Sequence, residues 1–283
     1  MGEIFSVNKQ AVRMINLKFI KRIFSSREND LVYFGMPSAE MKDVLTWKKY
    51  LKKIFAVELG KEGQEFVRQH NLMITAFKEG LHEKIVLLRG DIDSILIKKA
   101  DIYGNHLVYP FDLVVLDYCG GIVYTVPEAA KAPRLNAISQ LFKDQADYKK
   151  DFILFLSVNM DHDHHEINKA LESLRPVLEK SYGKTQIIDE FKASPYEEVR
   201  LKVYVLYIIS CYASHYYKIE YNKPIHYEGN KGTRMMNFSF FFKYNNVSYA
   251  PRAIDLKKII NKDLLMVHEG KIDDSTITFP IIS

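Results

Sequence analysis

The sequence predicts an α/β fold: a mainly parallel, Rossmann-like sheet with helices between its strands and an antiparallel hairpin towards its carboxyl end. Three observations predict it. Short apolar runs rich in β-branched residues recur at Leu31–Phe34, Ile54–Val57, Ile85–Leu88, Leu113–Leu116 and Phe152–Val158. Each is too short for a typical helix and apolar at consecutive positions, as in strands covered on both faces. Stretches of helical period separate them, the alternation that gives a parallel sheet with right-handed crossovers. Near the carboxyl end, Met235–Tyr244 and Val247–Tyr249 flank Asn245-Asn246, a hairpin signal.

In chain order, Val12, Ile15, Phe19 and Ile23 fall near helical spacing with Lys18, Lys21, Arg22 and Arg27 between them. An amphipathic helix is expected there, its basic face solvated or, if it lies near an active site, placed to touch phosphates. After the first strand, Gly35 permits a tight turn and Ser38 is placed to cap a helix over Ala39–Leu51, with Met41, Val44, Leu45 and Trp47 on its apolar side. The second strand ends at Glu58. The distance from Gly35 to Glu58 suits a βαβ unit in which an acid after the second strand reaches ribose hydroxyls. A helix over Gly63–Phe77 leads to the third strand, which ends in Gly90-Asp91-Ile92; a short helix over Asp93–Asp101 and a loop through Tyr109-Pro110 lead to the fourth. Helices are expected at Leu135–Tyr148, Ile167–Leu178 and Tyr196–Tyr216. No repeat or low-complexity linker interrupts the pattern. Residues 1–30 therefore read as an N-terminal amphipathic extension and 31–283 as one domain.

The fourth strand is the focus of the chain. FDLVVLDYCGG, Phe111–Gly121, stops at a carboxylate followed by an aromatic, a thiol and two glycines. Ligands of open α/β sheets bind beyond the carboxyl ends of the strands, so chemistry is expected at this turn. Composition agrees with a soluble globular protein: 47% of residues are hydrophobic and 27% charged, and the 2 cysteines exclude a disulfide scaffold. No signal peptide or membrane span is evident, so a cytoplasmic location is expected. A net charge of +5 permits a nucleic-acid partner without requiring one.

Strand-Gly-turn-helix, strand-Glu, strand-Gly-Asp, strand-Asp resembles the motif order of class I S-adenosylmethionine-dependent methyltransferases. The resemblance spans about residues 31–158 and implies S-adenosylmethionine as cofactor. It places Phe34, Gly35, Pro37 and Ser38 in the first turn, at the methionine end. Glu58, with Leu59 after it, would hold the ribose, Asp91 and Ile92 would flank the adenine, and Asp117 would face the transferred methyl. The family's first turn usually has two or three glycines, whereas this one has Gly35 alone. A nicotinamide-dinucleotide reading fits less well, because its helix N-terminus must approach a pyrophosphate over several glycines.

Asp117-Tyr118-Cys119-Gly120 is nearer the Asp-Pro-aromatic-Gly of tRNA guanine amine methyltransferases than the Asp-Pro-Pro-aromatic of DNA amine enzymes, and lacks the proline of both. On the resemblance, Asp117 would orient the nucleophile or accept from it. Tyr118 would stack on the target, and the backbone of residues 118–121 would hold its edge. Cys119 reads as a packing residue rather than a thiol nucleophile. Past the fifth strand, Asp161, His162, Asp163, His164 and His165 have metal-ligating chemistry. Yet neighbouring residues of a loop point apart, and Asp163 with Glu166 reads as a helix-capping pair, so no metal site is assigned. The segment Lys218–Arg234 interleaves basic and aromatic residues, and either a polynucleotide contact or a solvated connection would suit it.

Overall fold

The computed structural model describes residues 7–59, 65–118, 120–123, 133–163, 167–168, 172, 197–229, 232–245 and 264–273. Among them ten strands form one sheet: nine follow the order β10-β9-β7-β8-β5-β4-β1-β2-β3, and β6 pairs with β8 off this path. The parallel part comprises β1 (Leu31–Gly35), β2 (Leu51–Glu58), β3 (Ile85–Arg89), β4 (Leu113–Asp117) and β5 (Phe152–Asn159). Their order, 3-2-1-4-5, reverses between β1 and β4, which makes that junction the topological switch point.

The helices lie on both faces because the strands alternate. In β4, Leu113 and Val115 point into one core with α1 (Val7–Ile23), α2 (Lys42–Trp47) and α3 (Glu65–Lys78). Val114 and Leu116 point into the other with α4 (Ile92–Lys98), α5 (Pro133–Asp147) and the helix Glu197–Ala213. A four-residue helix, α6 (Met160–Asp163), follows β5, and Glu197–Ala213 is α7. Leu113, Val114 and Leu116 have no exposed surface. Burying such side chains contributes roughly 1.5–3 kcal/mol each.

Beyond β5 the sheet changes direction. β8 (Arg234–Tyr244) is antiparallel to β5 over its upper length, from Asn159↔Met235 to Phe152↔Phe242. On its other edge β8 pairs with two short strands, β6 (Tyr217–Tyr221) and β7 (Ile225–Glu228). Pro224 lies between them. Lacking an N–H to donate, it marks the break in what is otherwise one line of pairing. β9 (Leu265–His268) runs parallel to β7, and β10 (Lys271–Asp273) folds back on β9.

Three local expectations are corrected. The segment Lys218–Arg234 is no irregular connection, because it supplies β6 and β7. The partners of Met235–Tyr244 are β5, β6 and β7; Val247–Tyr249 lies outside the described residues. The helix after β1 covers only Lys42–Trp47, and its N-cap position is Met41, left-handed at φ 50 with no side-chain cap. Ser38 is left-handed too, at φ 59, so it belongs to the turn and not to the cap.

α1 packs across β5 and β8 on the α2 side. Phe19 meets Phe155 edge-on at 6.2 Å, Phe24 meets Phe241 at the same distance, and Asn16 accepts from the Ser239 hydroxyl at 3.0 Å. At its other end Asn8 accepts from Gly270 N–H at 2.8 Å, tying α1 to the β9–β10 turn.

Candidate functional site

Because β1 to β4 are parallel, their carboxyl ends share one edge of the sheet. Gly35 is opposite both Ala56 and Val115, and Glu58 is opposite Arg89. Gly35, Glu58, Asp91 and Asp117 are therefore brought to a common edge, with Gly35 and Asp117 on either side of the switch point.

Each of these residues has a distinct setting. A Cβ on Gly35 would lie 2.6 Å from the Val115 carbonyl oxygen and 2.8 Å from the Tyr33 hydroxyl, so no other residue fits without displacement. Phe34 is buried and stacks on Phe111 at 4.8 Å, so only its backbone is available to the turn. Pro37 is buried and Ser38 half-buried. Glu58 is 7% exposed, with Arg68 Nη1 at 3.4 Å, whereas the Leu59 side chain is 52% exposed. Asp91 caps α4 by accepting from Ser94 N–H at 2.9 Å, and Ile92 is buried behind it.

Asp117 points to the α1 side. Its Oδ2 accepts from Lys9 Nζ at 2.5 Å, and the Asp117 charge is the chief cause that raises the Lys9 pKa, so Lys9 stays an ammonium ion at physiological pH. One helical turn on, the Arg13 guanidinium donates to Asp43 at the start of α2. A small pocket opens between α1, α2 and the ends of β4, β5, β7 and β8. Lys9, Arg13, Asp43, Asp117, Tyr227 and Asn237 line it, together with Ser157. Asn237 Nδ2 donates to Ser157 Oγ at 2.9 Å, but among the described residues its Oδ1 has no partner, and neither has the buried Tyr33 hydroxyl beside Gly35. Buried polar atoms left open in this way call for a polar ligand or water.

The opposite face of the same turn is closed. Tyr118 is 4% exposed; its hydroxyl donates to Asp93 Oδ1 at 2.5 Å, and the Arg134 guanidinium lies 4.6 Å from its ring centre. Arg134 also donates to the Gly121 carbonyl and packs behind Gly120. Burial raises the Asp93 pKa to about 6. The Tyr118 ring is thus built into the wall, where it anchors the turn rather than offering a free face for stacking. Cys119 lies outside the described residues. So do residues 164–166; Asp161, the member of that cluster whose side chain is described, pairs with Arg234 at 2.7 Å.

The sequence does not single out Lys9, Arg13, Asp43, Ser157 and Asn237, and offers Tyr227 only as an aromatic of the basic segment Lys218–Arg234. Lys9 and Arg13 read there as the polar side of an amphipathic helix. A usable signal was present in the strands, where Ser157, Asn237 and Ser239 interrupt runs that are otherwise apolar.

A 3-2-1-4-5 parallel sheet extended by an antiparallel strand, with acids at the ends of β2 and β4 and just after β3, defines the class I S-adenosylmethionine-dependent methyltransferase fold. A family described as PP_RS20740-like matches residues 78–203. No curated protein matches the chain. Among solved structures, cofactor-bound Rv0187 from MTB is 10% identical with a TM-score of 0.45, over 86% of this chain and 83% of that one. Precorrin-6y C5,15-methyltransferase from Geobacter metallireducens GS-15 is 11% identical with a TM-score of 0.40, over 83% and 87%. The methyltransferase domain of bacterial-CtHen1-C is 13% identical with a TM-score of 0.41, over 82% and 97%. The fold class is read from the strand order and strand ends, not from these likenesses. Among the described residues no helix is long and apolar enough to cross a membrane.

Proposed function

We propose that the chain is an S-adenosylmethionine-dependent methyltransferase whose acceptor is a base amine of a nucleic acid. The observation that carries the first half is the convergence of Gly35, Glu58, Asp91 and Asp117 on one sheet edge around the switch point. The donor set fits the cofactor: Glu58 for ribose hydroxyls, Asp91 beside the base, and the turn after β1 for the methionine end. S-adenosylmethionine, when bound, supplies an electrophilic methyl group.

The chain's own residues do the rest. Asp117, ion-paired with the Lys9 ammonium, accepts hydrogen bonds from the amine and orients its lone pair. Tyr118, Asp93 and Arg134 hold the turn that carries Asp117. Asn237 Oδ1 offers a second acceptor across the pocket. The +5 net charge favours an anionic polymer as acceptor. The test is methyl transfer from labelled S-adenosylmethionine to mixed RNA and DNA. Labelling that disappears with Asp117→Ala supports the assignment, and labelling that survives contradicts it.

A second reading is a methyltransferase-fold binding subunit without catalysis. The single glycine of the first turn and the engagement of Asp117 by Lys9 favour it. Titration with S-adenosylhomocysteine separates the two, because micromolar affinity speaks for the enzyme.

A further inference from the structure

α1 and the sheet beyond it form a basic shelf that the proposed reaction does not use. In β8, Phe241 faces α1 and its neighbour Phe242 faces α5, so Lys243 shares the α1 face with Phe241. Register places Lys218 of β6 directly opposite Lys243 and places Glu220 opposite Phe241, so these side chains share that face. α1 passes alongside, with Arg22 Nη2 donating to Asn222 Oδ1 at 3.3 Å just after β6. Lys18 and Lys21 project from its exposed side.

Lys18, Lys21, Lys218 and Lys243 are exposed and, among the described residues, none has a carboxylate in ion-pair reach; nor has Arg22. This side of the molecule thus carries five cations against two acids, Glu220 and Asp151, the latter beside the end of β8, where its Oδ1 accepts from Tyr244 N–H at 2.7 Å. Exposed lysines elsewhere are of both kinds: Lys48, Lys49 and Lys99 each have a carboxylate partner, at 3.1, 2.7 and 2.7 Å, whereas Lys52, Lys53 and Lys98 have none in ion-pair reach among the described residues. What sets the shelf apart is a pair of lysines placed directly opposite each other. Like charges directly opposite across an antiparallel pair destabilise a sheet, so the Lys218–Lys243 pairing works against the fold. Such an arrangement gains when an anion bridges the two.

We propose that this shelf binds the phosphodiester backbone of a nucleic acid and feeds it along α1 towards Asp117. The proposal rests on the nucleic-acid reading above. At about 1.5 Å of rise per residue, Lys18 and Arg22 stand roughly 13–20 Å down the helix from Lys9, a span of a few nucleotides. A backbone held there leaves bases near the far end of the helix free to enter the pocket. The shelf carries no base-reading group, so it supplies affinity and register rather than sequence preference.

The test is equilibrium binding of a labelled single-stranded oligonucleotide of mixed sequence to the full chain, titrated between about 50 and 200 mM salt. Lys218→Ala/Lys243→Ala is compared with wild type, and Lys18→Ala/Arg22→Ala serves as a second pair. Each double variant is expected to bind several-fold more weakly and to flatten the log–log salt slope by about 1.4, the value for two phosphate contacts on a single strand. Removing the Lys218–Lys243 repulsion is expected to leave the melting temperature unchanged or raised, which separates lost binding from lost folding. Wild-type binding with an unchanged slope in both variants overturns the shelf and leaves the nucleic-acid acceptor standing. No wild-type binding at low salt overturns both. Tighter binding to phosphatidylserine vesicles than to the oligonucleotide overturns nucleic acid as the occupant. S-adenosylhomocysteine affinity, read in the same variants, is expected to stay unchanged and reports on the cofactor site separately.

Discussion

Two aspartates five residues apart bracket β4 and are treated in opposite ways. Asp112, at the amino edge of the sheet, is 1% exposed and saturated: Arg27 Nη1 lies at 2.6 Å, Val32 N–H at 2.9 Å and Lys150 Nζ at 3.2 Å. Asp117, at the carboxyl edge, has Lys9 as its one ion-pair partner among the described residues, on one oxygen, and keeps 17% of its side chain exposed. The first acid is a fastener for the amino ends of β1 and β4. The second is held in place at one oxygen while the other faces a pocket. A strand with one acid fully compensated and the other half-compensated distinguishes its structural end from its chemical end.

That contrast can be broken most sharply by exchanging each acid for its amide. Asp112→Asn removes the buried acceptor shared by Arg27, Lys150 and Val32 N–H, while Arg27 keeps Asp30 at 2.8 Å, and a loss of about 1–3 kcal/mol in urea unfolding is expected. Asp117→Asn should cost no more than about 1 kcal/mol, because its partner is partly solvated. Its effect should fall instead on methyl transfer, lowering turnover by about 10²–10⁴-fold in a steady-state assay. Equal stability losses at the two positions would remove the distinction.

Asp93 sharpens the comparison from the closed side of the turn. Its folded pKa of about 6 lies above the ordinary value of 3.8, chiefly through burial, so the folded state holds this proton more tightly than the unfolded one. The associated stability is therefore fully present below 3.8 and is lost as pH rises through about 6. Asp93→Asn, which still accepts from Tyr118, should abolish this slope and exceed wild type above that range by up to about 3 kcal/mol. Melting temperatures across the pH range check it; parallel curves for the two proteins would contradict it. Gly35→Ala is expected to lose about 1–3 kcal/mol from forcing a methyl against the Val115 carbonyl, measured by urea unfolding.

The five parallel strands were legible because burial on both faces leaves continuous apolar runs, and their end residues Gly35, Glu58, Asp91 and Asp117 could be read with them. β6 and β7 were not. Tyr217, Ile219 and Tyr221 alternate with Lys218 and Glu220, but Pro224 and neighbouring charges disguise the strand as a basic linker. The short α2 escaped for a backbone reason, since Ser38 and Met41 adopt left-handed conformations that their side chains do not announce. Lys9 and Arg13 were hidden by distance along the chain: Lys9 meets Asp117 108 positions away, and Arg13 meets Asp43 30 positions away. Only packing of α1 across the sheet brings them to the pocket. Tyr118 was assigned to stacking because its neighbour is the reactive acid; strand alternation turns the two to opposite faces.

The most direct test of the central claim is calorimetric titration of S-adenosylhomocysteine into wild type and Glu58→Ala. Convergence of the four strand ends on one cofactor site predicts micromolar binding by wild type and at least tenfold weaker binding by the variant, with folding retained. Wild type that takes up no ligand, or a variant that binds as well as wild type, would contradict it.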